Sequence, residues 1–292
     1  MKINRPLISV VVCAHNEENY INKCLYALLQ ALKGFESEVI LVADRCTDKT
    51  VEKAKKYSIK IIEKSWKRWR NSYSESLQTG YMNAKGYYFS IVDADIVVPL
   101  NFFPKLIALI NEKAVSIAAQ VTTYPDTFLN RFMNAWEKTY KFAPLGQTPY
   151  GAARIILKKA LDEIGGFRDV PTPDTDMDIR LTKHGYKSIY SKDVKVYHIR
   201  HITVKSTING QINCGRGRYA LGIGLLRTVG HAILRVRPFV VYGWFLEKQQ
   251  IGKSHKSKHH RLNSSLRIRA RPNKNLLLNF FHVKKKTYVP IK

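Results

Sequence analysis

Four times in the first 111 residues, a short run of β-branched and apolar residues gives way to a stretch with helical spacing. Ile8 to Ala14 precedes Glu17 to Leu32, Val39 to Asp44 precedes Asp48 to Tyr57, Ile59 to Glu63 precedes Ser72 to Ala84, and Tyr87 to Asp93 precedes Asn101 to Asn111. Apolar runs of this length without polar alternation are strands buried on both faces, and strands that return to one sheet through a helix run parallel. The rhythm narrows the chain to an α/β fold with a mainly parallel sheet flanked by helices. Helix starts agree with it, since Asp48 stands ahead of Lys49-Thr50-Val51 and Asn101 ahead of Phe102-Phe103-Pro104.

A further apolar run, Ser116 to Tyr124, precedes Phe128 to Phe142, whose aromatics with Trp136 predict a helix packed on the core. From Pro144 to Pro173 the chain turns rich in Gly, Pro and Thr, with Gly151 among them, and closes on Gly165-Gly166-Phe167. Short elements fall at Arg154 to Leu157 and Lys159 to Ile164. A helix from Asp176 to His184 and a strand from Lys187 to Tyr197 follow.

Charge divides the chain more sharply than hydropathy does. Of 49 Lys and Arg, 21 lie from Val194 onward against a single acid, Glu247, so +20 of the net charge of +27 belongs to the last third and the first 193 residues are nearly balanced. We expect one domain over residues 1–225 and a basic, helical, partly disordered extension over 226–292. Within the extension Arg227, His231 and Arg235 recur at i, i+4 and i+8, opposite Leu225, Val229 and Ile233, which predicts an amphipathic helix. From Ile251 there are twelve bases and no acid. The most apolar late region, Tyr219 to Leu246, is broken by Arg227, His231, Arg235 and Arg237, so no spanning helix is expected. The opening residues carry no signal-peptide pattern. Four cysteines without a CxxC pair fit a reducing, cytoplasmic setting.

A basic surplus of this size predicts an anionic partner. The late aromatics cluster in Pro238 to Phe245 and are not interleaved with the cations, as stacking platforms for nucleic acid would be. An apolar patch flanked by bases fits peripheral attachment to an anionic membrane surface, here the inner face of the cell membrane, and argues against nucleic acid.

The chemistry is carried by strand ends. Tyr88 to Val92 runs into Asp93-Ala94-Asp95, placing two carboxylates at the carboxyl end of a buried strand, the edge where open α/β sheets bind ligands. Hard oxygen donors there suit Mg²⁺ or Mn²⁺, with substrate phosphates completing the shell. His15-Asn16-Glu17-Glu18 after the first strand and Asp44-Arg45-Cys46-Thr47-Asp48 after the second put further polar groups on that edge. Gly165-Gly166-Phe167 is followed by Asp176-Met177-Asp178-Ile179-Arg180-Leu181, and then by Gln211 and Gly215-Arg216-Gly217-Arg218.

In this order and spacing the chain resembles the family 2 glycosyltransferases of the GT-A fold over roughly residues 7 to 225. The resemblance implies an inverting enzyme, of hexosyltransferase type, that moves a sugar from a nucleotide-diphosphate donor to an acceptor hydroxyl on a glycan or a lipid-linked molecule, assisted by a divalent metal, Mn²⁺ or Mg²⁺. Ala14, Asn16 and Glu17 look like the family's nucleotide-facing first loop, Asp44 like the carboxylate at the base, and Asp93 like the residue at the ribose. Asp95, with His198, would hold the metal. Arg70 is the choice among Lys67, Arg68, Arg70 and Asn71 for a donor-side cation, and Arg216 and Arg218 match late positions near the diphosphate. Gln211 and Gly151 would lie on the acceptor side. Asp176 matches the general-base position, although Thr175 precedes it where many members have Glu, and Asp174 and Asp178 stand in reserve. Asp176 and Asp178 also read as acids favoured by a helix N-terminus. The alternative for the whole chain is a nucleic-acid-binding or nucleotidyl-transferring α/β protein that uses the paired Asp and a metal. The first 193 residues have no P-loop and no basic stripe to support it.

Overall fold

The computed structural model describes residues 6–125, 127–139 and 151–257. Among the described residues eight strands form one sheet: β1 (Ile8–Ala14), β2 (Ser37–Asp44), β3 (Lys60–Lys64), β4 (Tyr88–Val92), β5 (Ile96–Val97), β6 (Ala114–Thr123), β7 (Ala153–Leu157) and β8 (Lys187–His198), in the order β3-β2-β1-β4-β7-β6-β8-β5. The helices are α1 (Ile21–Ala31), α2 (Thr50–Ala54), α3 (Ser72–Asn83), α4 (Phe102–Ile107), α5 (Phe128–Thr139), α6 (Lys158–Glu163), α7 (Pro173–Lys183), α8 (Val204–Ala220), α9 (Leu225–Leu234) and α10 (Phe239–Ser257).

The uninterrupted apolar runs are explained by burial on both sides. Along β1, Val10 and Val12 join one core with Leu25 and Leu28 of α1 and Phe102 and Phe103 of α4, while Val11 joins the other with Leu77 of α3, Leu161 of α6 and Met177 of α7. Full burial of such a side chain contributes about 1.5–3 kcal/mol, so successive residues of one strand hold helices on opposite faces. Because β1, β2 and β4 are parallel neighbours, their carboxyl ends open on one edge.

The sheet is more mixed than the rhythm implied. β1–β2, β1–β4, β2–β3 and β6–β8 pair in parallel, but β4–β7, β6–β7 and β5–β8 are antiparallel. A strand buried on both faces reads the same in either direction, and the two-residue β5 is too short to leave a periodic signal. The expected packing of the Phe128 helix is also corrected. α5 is present, but Phe128 is 85% and Phe132 53% exposed. The Trp136 side chain, residues 140–150, and the tail beyond Ser257 lie outside the described residues.

The chain divides into two compact units, Met1–Glu137 with Thr148–Thr207, and Lys138–Gln147 with Ile208–Lys292. In the second, α8 and α10 touch backbone to backbone. A Cβ on Gly215 would sit 2.0 Å from the Val240 carbonyl oxygen, and one on Gly243 2.0 Å from that of Ile212. Trp244 is buried there, donating its Nε1–H to the Ile223 carbonyl at 2.8 Å and meeting Tyr219 edge-on. It therefore is not the exposed anchor that the Pro238 to Phe245 patch suggested. The expected α9 forms, but its buried face carries Thr228, His231 and Ala232, whereas Leu226, Ile233 and Leu234 are exposed. Among the described residues no helix is long and apolar enough to cross a membrane. All four cysteines are free.

Candidate active site

The carboxyl ends of β1, β2 and β4 enclose a cleft of about 210 Å³, lined by Cys13, Ala14, His15, Glu17, Asp44, Tyr73, Asp93, Ala94, Asp95, His198 and Arg200. The loops after β1 and β2 are fixed to each other. The Glu17 amide donates to Thr50 Oγ1 at 2.7 Å, the Glu18 amide to Asp48 Oδ2 at 3.0 Å, and the Thr47 amide to Asn16 Oδ1 at 2.8 Å. Asp48 also accepts from the Thr50 amide at 3.0 Å, securing the start of α2. Asn16 and Arg45 both adopt left-handed backbone, φ 57° and 48°. Asn tolerates this region better than Arg does, and such conformations persist where surrounding bonds impose them, often at functional sites.

Asp44 ends β2 in a dense set of donors. Lys64 Nζ lies 2.8 Å and Arg45 Nε 2.9 Å from Oδ1, and the Ser72 hydroxyl donates to Oδ2 at 2.5 Å. Burial raises its pKa, but the bonds from Arg45, Lys64 and Ser72 outweigh that and hold the carboxyl well below the usual range. Lys64 is itself fully buried and bonds Glu75 Oε2 at 3.0 Å.

Asp93 and Asp95 differ in their surroundings. Asp93 accepts the Tyr73 hydroxyl at 2.8 Å. Burial, with the nearby Asp95 charge, pushes the Asp93 carboxyl up to about 8, and the Tyr73 bond opposes this. Asp95 Oδ2 accepts from Arg200 Nε at 2.6 Å and lies 3.2 Å from His198 Nε2. Burial lowers the His198 pKa. The second guanidinium arm of Arg200 reaches Glu17 Oε1, while Glu17 Oε2 is buried without a partner.

Among the described residues, no three His, Cys, Asp or Glu are arranged to enclose a metal ion. The donor set nonetheless fits Mg²⁺ or Mn²⁺ of the kind that takes one or two carboxylates and completes its shell with substrate phosphates. The Glu17 oxygen without a partner, on a carboxylate within electrostatic reach of Asp95, is an acceptor that a positive group could use.

The acids of α7 separate cleanly. Asp176 is buried and ion-paired with Arg180 at 2.7 Å. Asp178 takes both guanidinium arms of the fully buried Arg154, at 2.9 and 3.2 Å, and the Ser188 hydroxyl at 2.6 Å. Asp174, in the first turn, lies within electrostatic reach of Asp93 and Tyr73. A Cβ on Gly151 would come within 2.9 Å of its Oδ2, so that glycine leaves room for the carboxylate. Burial raises the Asp174 pKa, Arg154 lowers it, and Asp178 raises it again. Among the three acids, Asp176 thus faces the core, and Asp174 is the one near the Asp93–Tyr73 pair.

Of the other candidates, Ala14, Glu17, Asp44, Asp93, Asp95 and His198 line the cleft, and Asn16 and Arg70 do not. Asn16 Oδ1 is engaged by Thr47, and the exposed Arg70 donates its amide to Asp169 at 2.8 Å. Gln211, Arg216 and Arg218 belong to the second unit. There Gln211 accepts the Phe239 amide at 3.3 Å, Arg216 bonds Glu247 at 3.2 Å and Gln250, and Arg218 bonds Thr228 at 3.2 Å. Sequence reasoning missed Arg200, Lys64 and Tyr73. Only Arg200, two residues beyond His198 at the end of β8, had a positional signal.

Residues 9–165, just over half of the chain, match the family model described as Glycosyl transferase family 2. Among curated proteins, the chain is 30% identical over 118 residues to a dolichol-phosphate mannosyltransferase of Pyrococcus furiosus, covering 39% of this chain and 33% of that protein. It is 27% identical over 205 residues to the probable glycosyltransferase YdaM of Bacillus subtilis, covering 62% and 48%. It therefore spans only a third to a half of the length of these relatives. Among solved structures, the mannosyltransferase PcManGT of Pyrobaculum calidifontis, in complex with GDP-Man and Mn²⁺, superimposes with a TM-score of 0.57 at 18% identity over 94% of this chain and 79% of that one. Glucosyl-3-phosphoglycerate synthase of Mycobacterium tuberculosis, with Mg²⁺ and UDP, gives 0.53 at 16% identity over 75% and 80%. These likenesses show the fold to be of the GT-A type, and with the family match they establish that the chain belongs to glycosyl transferase family 2.

Proposed function

We propose that the cleft binds a nucleoside-diphosphate sugar and that the chain transfers the sugar, with inversion, to an acceptor hydroxyl. The observation that carries this is the meeting of Asp93, Asp95, Glu17 and His198 at one sheet edge, with Asp174 of α7 close to Asp93. Relatives support it: solved structures of the same fold hold GDP-Man with Mn²⁺ and UDP with Mg²⁺.

Asp95 would hold the divalent ion with His198 beside it, and the ion supplies positive charge to the departing diphosphate. Asp44 and the first loop at Ala14 and Glu17 would receive the nucleoside. Asp174 would accept the proton of the acceptor hydroxyl as that oxygen attacks the anomeric carbon from the face opposite the diphosphate. The bond from that carbon to the diphosphate oxygen breaks, and the electron pair leaves with the phosphate. A carboxylate of raised proton affinity suits general-base work at neutral pH, and its place in the first turn of α7 favours the ionised form before reaction. No protein nucleophile is needed.

Peripheral attachment to the inner face of the cell membrane, and with it a lipid-linked or glycan acceptor, is proposed for the second unit. Leu226, Ile233, Leu234, Val236 and Tyr242 are exposed in a segment rich in Arg and Lys. The four free cysteines fit a cytoplasmic setting.

The decisive experiment is a thermal-shift panel of nucleoside diphosphates and diphosphate sugars with and without Mn²⁺. Stabilisation by at least one diphosphate sugar that needs Mn²⁺, and that Asp95→Ala removes, is expected. No response to any of them, or a response indifferent to Mn²⁺ and Asp95, would overturn the reading.

A further inference from the structure

Arg200 occupies an unusual place for a residue just past a strand. One guanidinium edge donates to Asp95 Oδ2 at 2.6 Å and another arm to Glu17 Oε1, and the guanidinium carbon stands 5.5 Å from the Tyr20 ring centre. The two buried acids facing the proposed ion position are thus already neutralised by a side chain of the same protein. The Asp95 oxygen that lies 3.2 Å from His198 Nε2, the other ligand proposed for the ion, is the one that accepts from Arg200.

Two cations cannot share that oxygen at low cost. A bare divalent ion entering here must break a charge-assisted pair and leave a guanidinium beside it, and like charges a few ångströms apart in a part-buried cleft repel strongly. A diphosphate removes the conflict, because its oxygens offer the guanidinium a planar, bidentate partner as good as the one it gives up.

Building on the proposal that Asp95 holds the ion, we infer that Arg200 is an internal counter-ion that makes metal binding conditional on the diphosphate. It guards Asp95 and Glu17 while the cleft is empty and moves to the diphosphate when donor and ion arrive together. The linkage is reciprocal, so the ion also tightens the nucleotide, by a factor in the range of about 5 to 150 typical of coupled sites.

The test uses the full chain, Mn²⁺ binding read by electron paramagnetic resonance, and nucleotide binding read by calorimetry with UDP and GDP. Wild type is expected to bind Mn²⁺ weakly alone. Arg200→Gln should bind Mn²⁺ alone about tenfold more tightly, yet bind Mn²⁺ with the diphosphate less tightly, two changes of opposite sign that a merely structural ion pair would not give. Arg200→Lys keeps a charge without the fork and should fall between the two. An unchanged or weaker affinity for Mn²⁺ alone in both variants overturns the counter-ion role. Asp95→Asn separates the two claims. If it abolishes Mn²⁺ binding while the Arg200 variants behave as wild type, only the counter-ion inference fails; if it leaves Mn²⁺ binding intact, the metal site itself is wrong and the inference falls with it.

Discussion

Asp174 and Asp176 are two residues apart and differ by about 200° around the helix axis, enough to send one toward the cleft and the other to the core. We expect Asp174→Asn to keep its unfolding midpoint and its donor affinity while losing transfer by roughly 10²- to 10⁴-fold, the usual worth of a general base. Asp176→Asn is expected to keep transfer and lose stability by about 3 kcal/mol, since it breaks the pair with buried Arg180. Steady-state transfer and urea unfolding of the two variants decide this, and the reverse pattern would restore Asp176 as the base. The choice was legible in part. Opening the helix at Asp176 favoured that acid over Asp174 and Asp178, whereas Pro173 at the first helical position and Arg180 four residues after Asp176 together fix the phase. Arg200 was marked only by its place two residues beyond His198, and nothing in a single sequence says that it folds back onto two acids 105 and 183 residues earlier.

At the scale of elements, the strands and their order of appearance were readable from doubly buried runs, and the loops at their carboxyl ends followed. The antiparallel insertion of β7 and the buried Lys64 were not, since Lys64 closes an ordinary-looking strand with an aliphatic stem and declares its burial only through Asp44 and Glu75. Lys64→Met is expected to cost roughly 3–5 kcal/mol in chemical denaturation, because it strands buried carboxylates, and Lys64→Met with Glu75→Gln should recover part of that loss. In α9, His231 is pushed down to about 4 by burial and by Arg218, Arg235 and Arg237. The unfolded chain then binds a proton near pH 6.5 that the folded form refuses until about pH 4, so stability is full above that window and falls as pH drops through it. Melting of the full chain between pH 7 and 4 should show the loss, and His231→Gln should flatten it.

On the scale of the whole molecule, the charge asymmetry was read directly, but the role of its aromatics was not. Trp244 is packed between α8 and α10, whereas the exposed apolar residues include Tyr242 and Phe245 of the same patch with Leu226, Ile233 and Leu234 ahead of it. We expect co-sedimentation with anionic but not neutral liposomes, weakened as salt shortens the Debye length below about 8 Å and reduced by Leu226→Ser with Ile233→Ser. Binding that ignores lipid charge and these residues would remove the membrane role. The paired glycines of α8 and α10 carry a consequence for how sequences of this kind drift. Charges such as Arg216 can be exchanged for others that reach Glu247, but at Gly215 and Gly243 the first added carbon collides with a backbone oxygen 2.0 Å away. Homologues that retain this helix pair are therefore expected to wander freely in their cations while two codons stand still, and an alignment in which those positions vary while the helices persist would show that the crossing can be rebuilt another way.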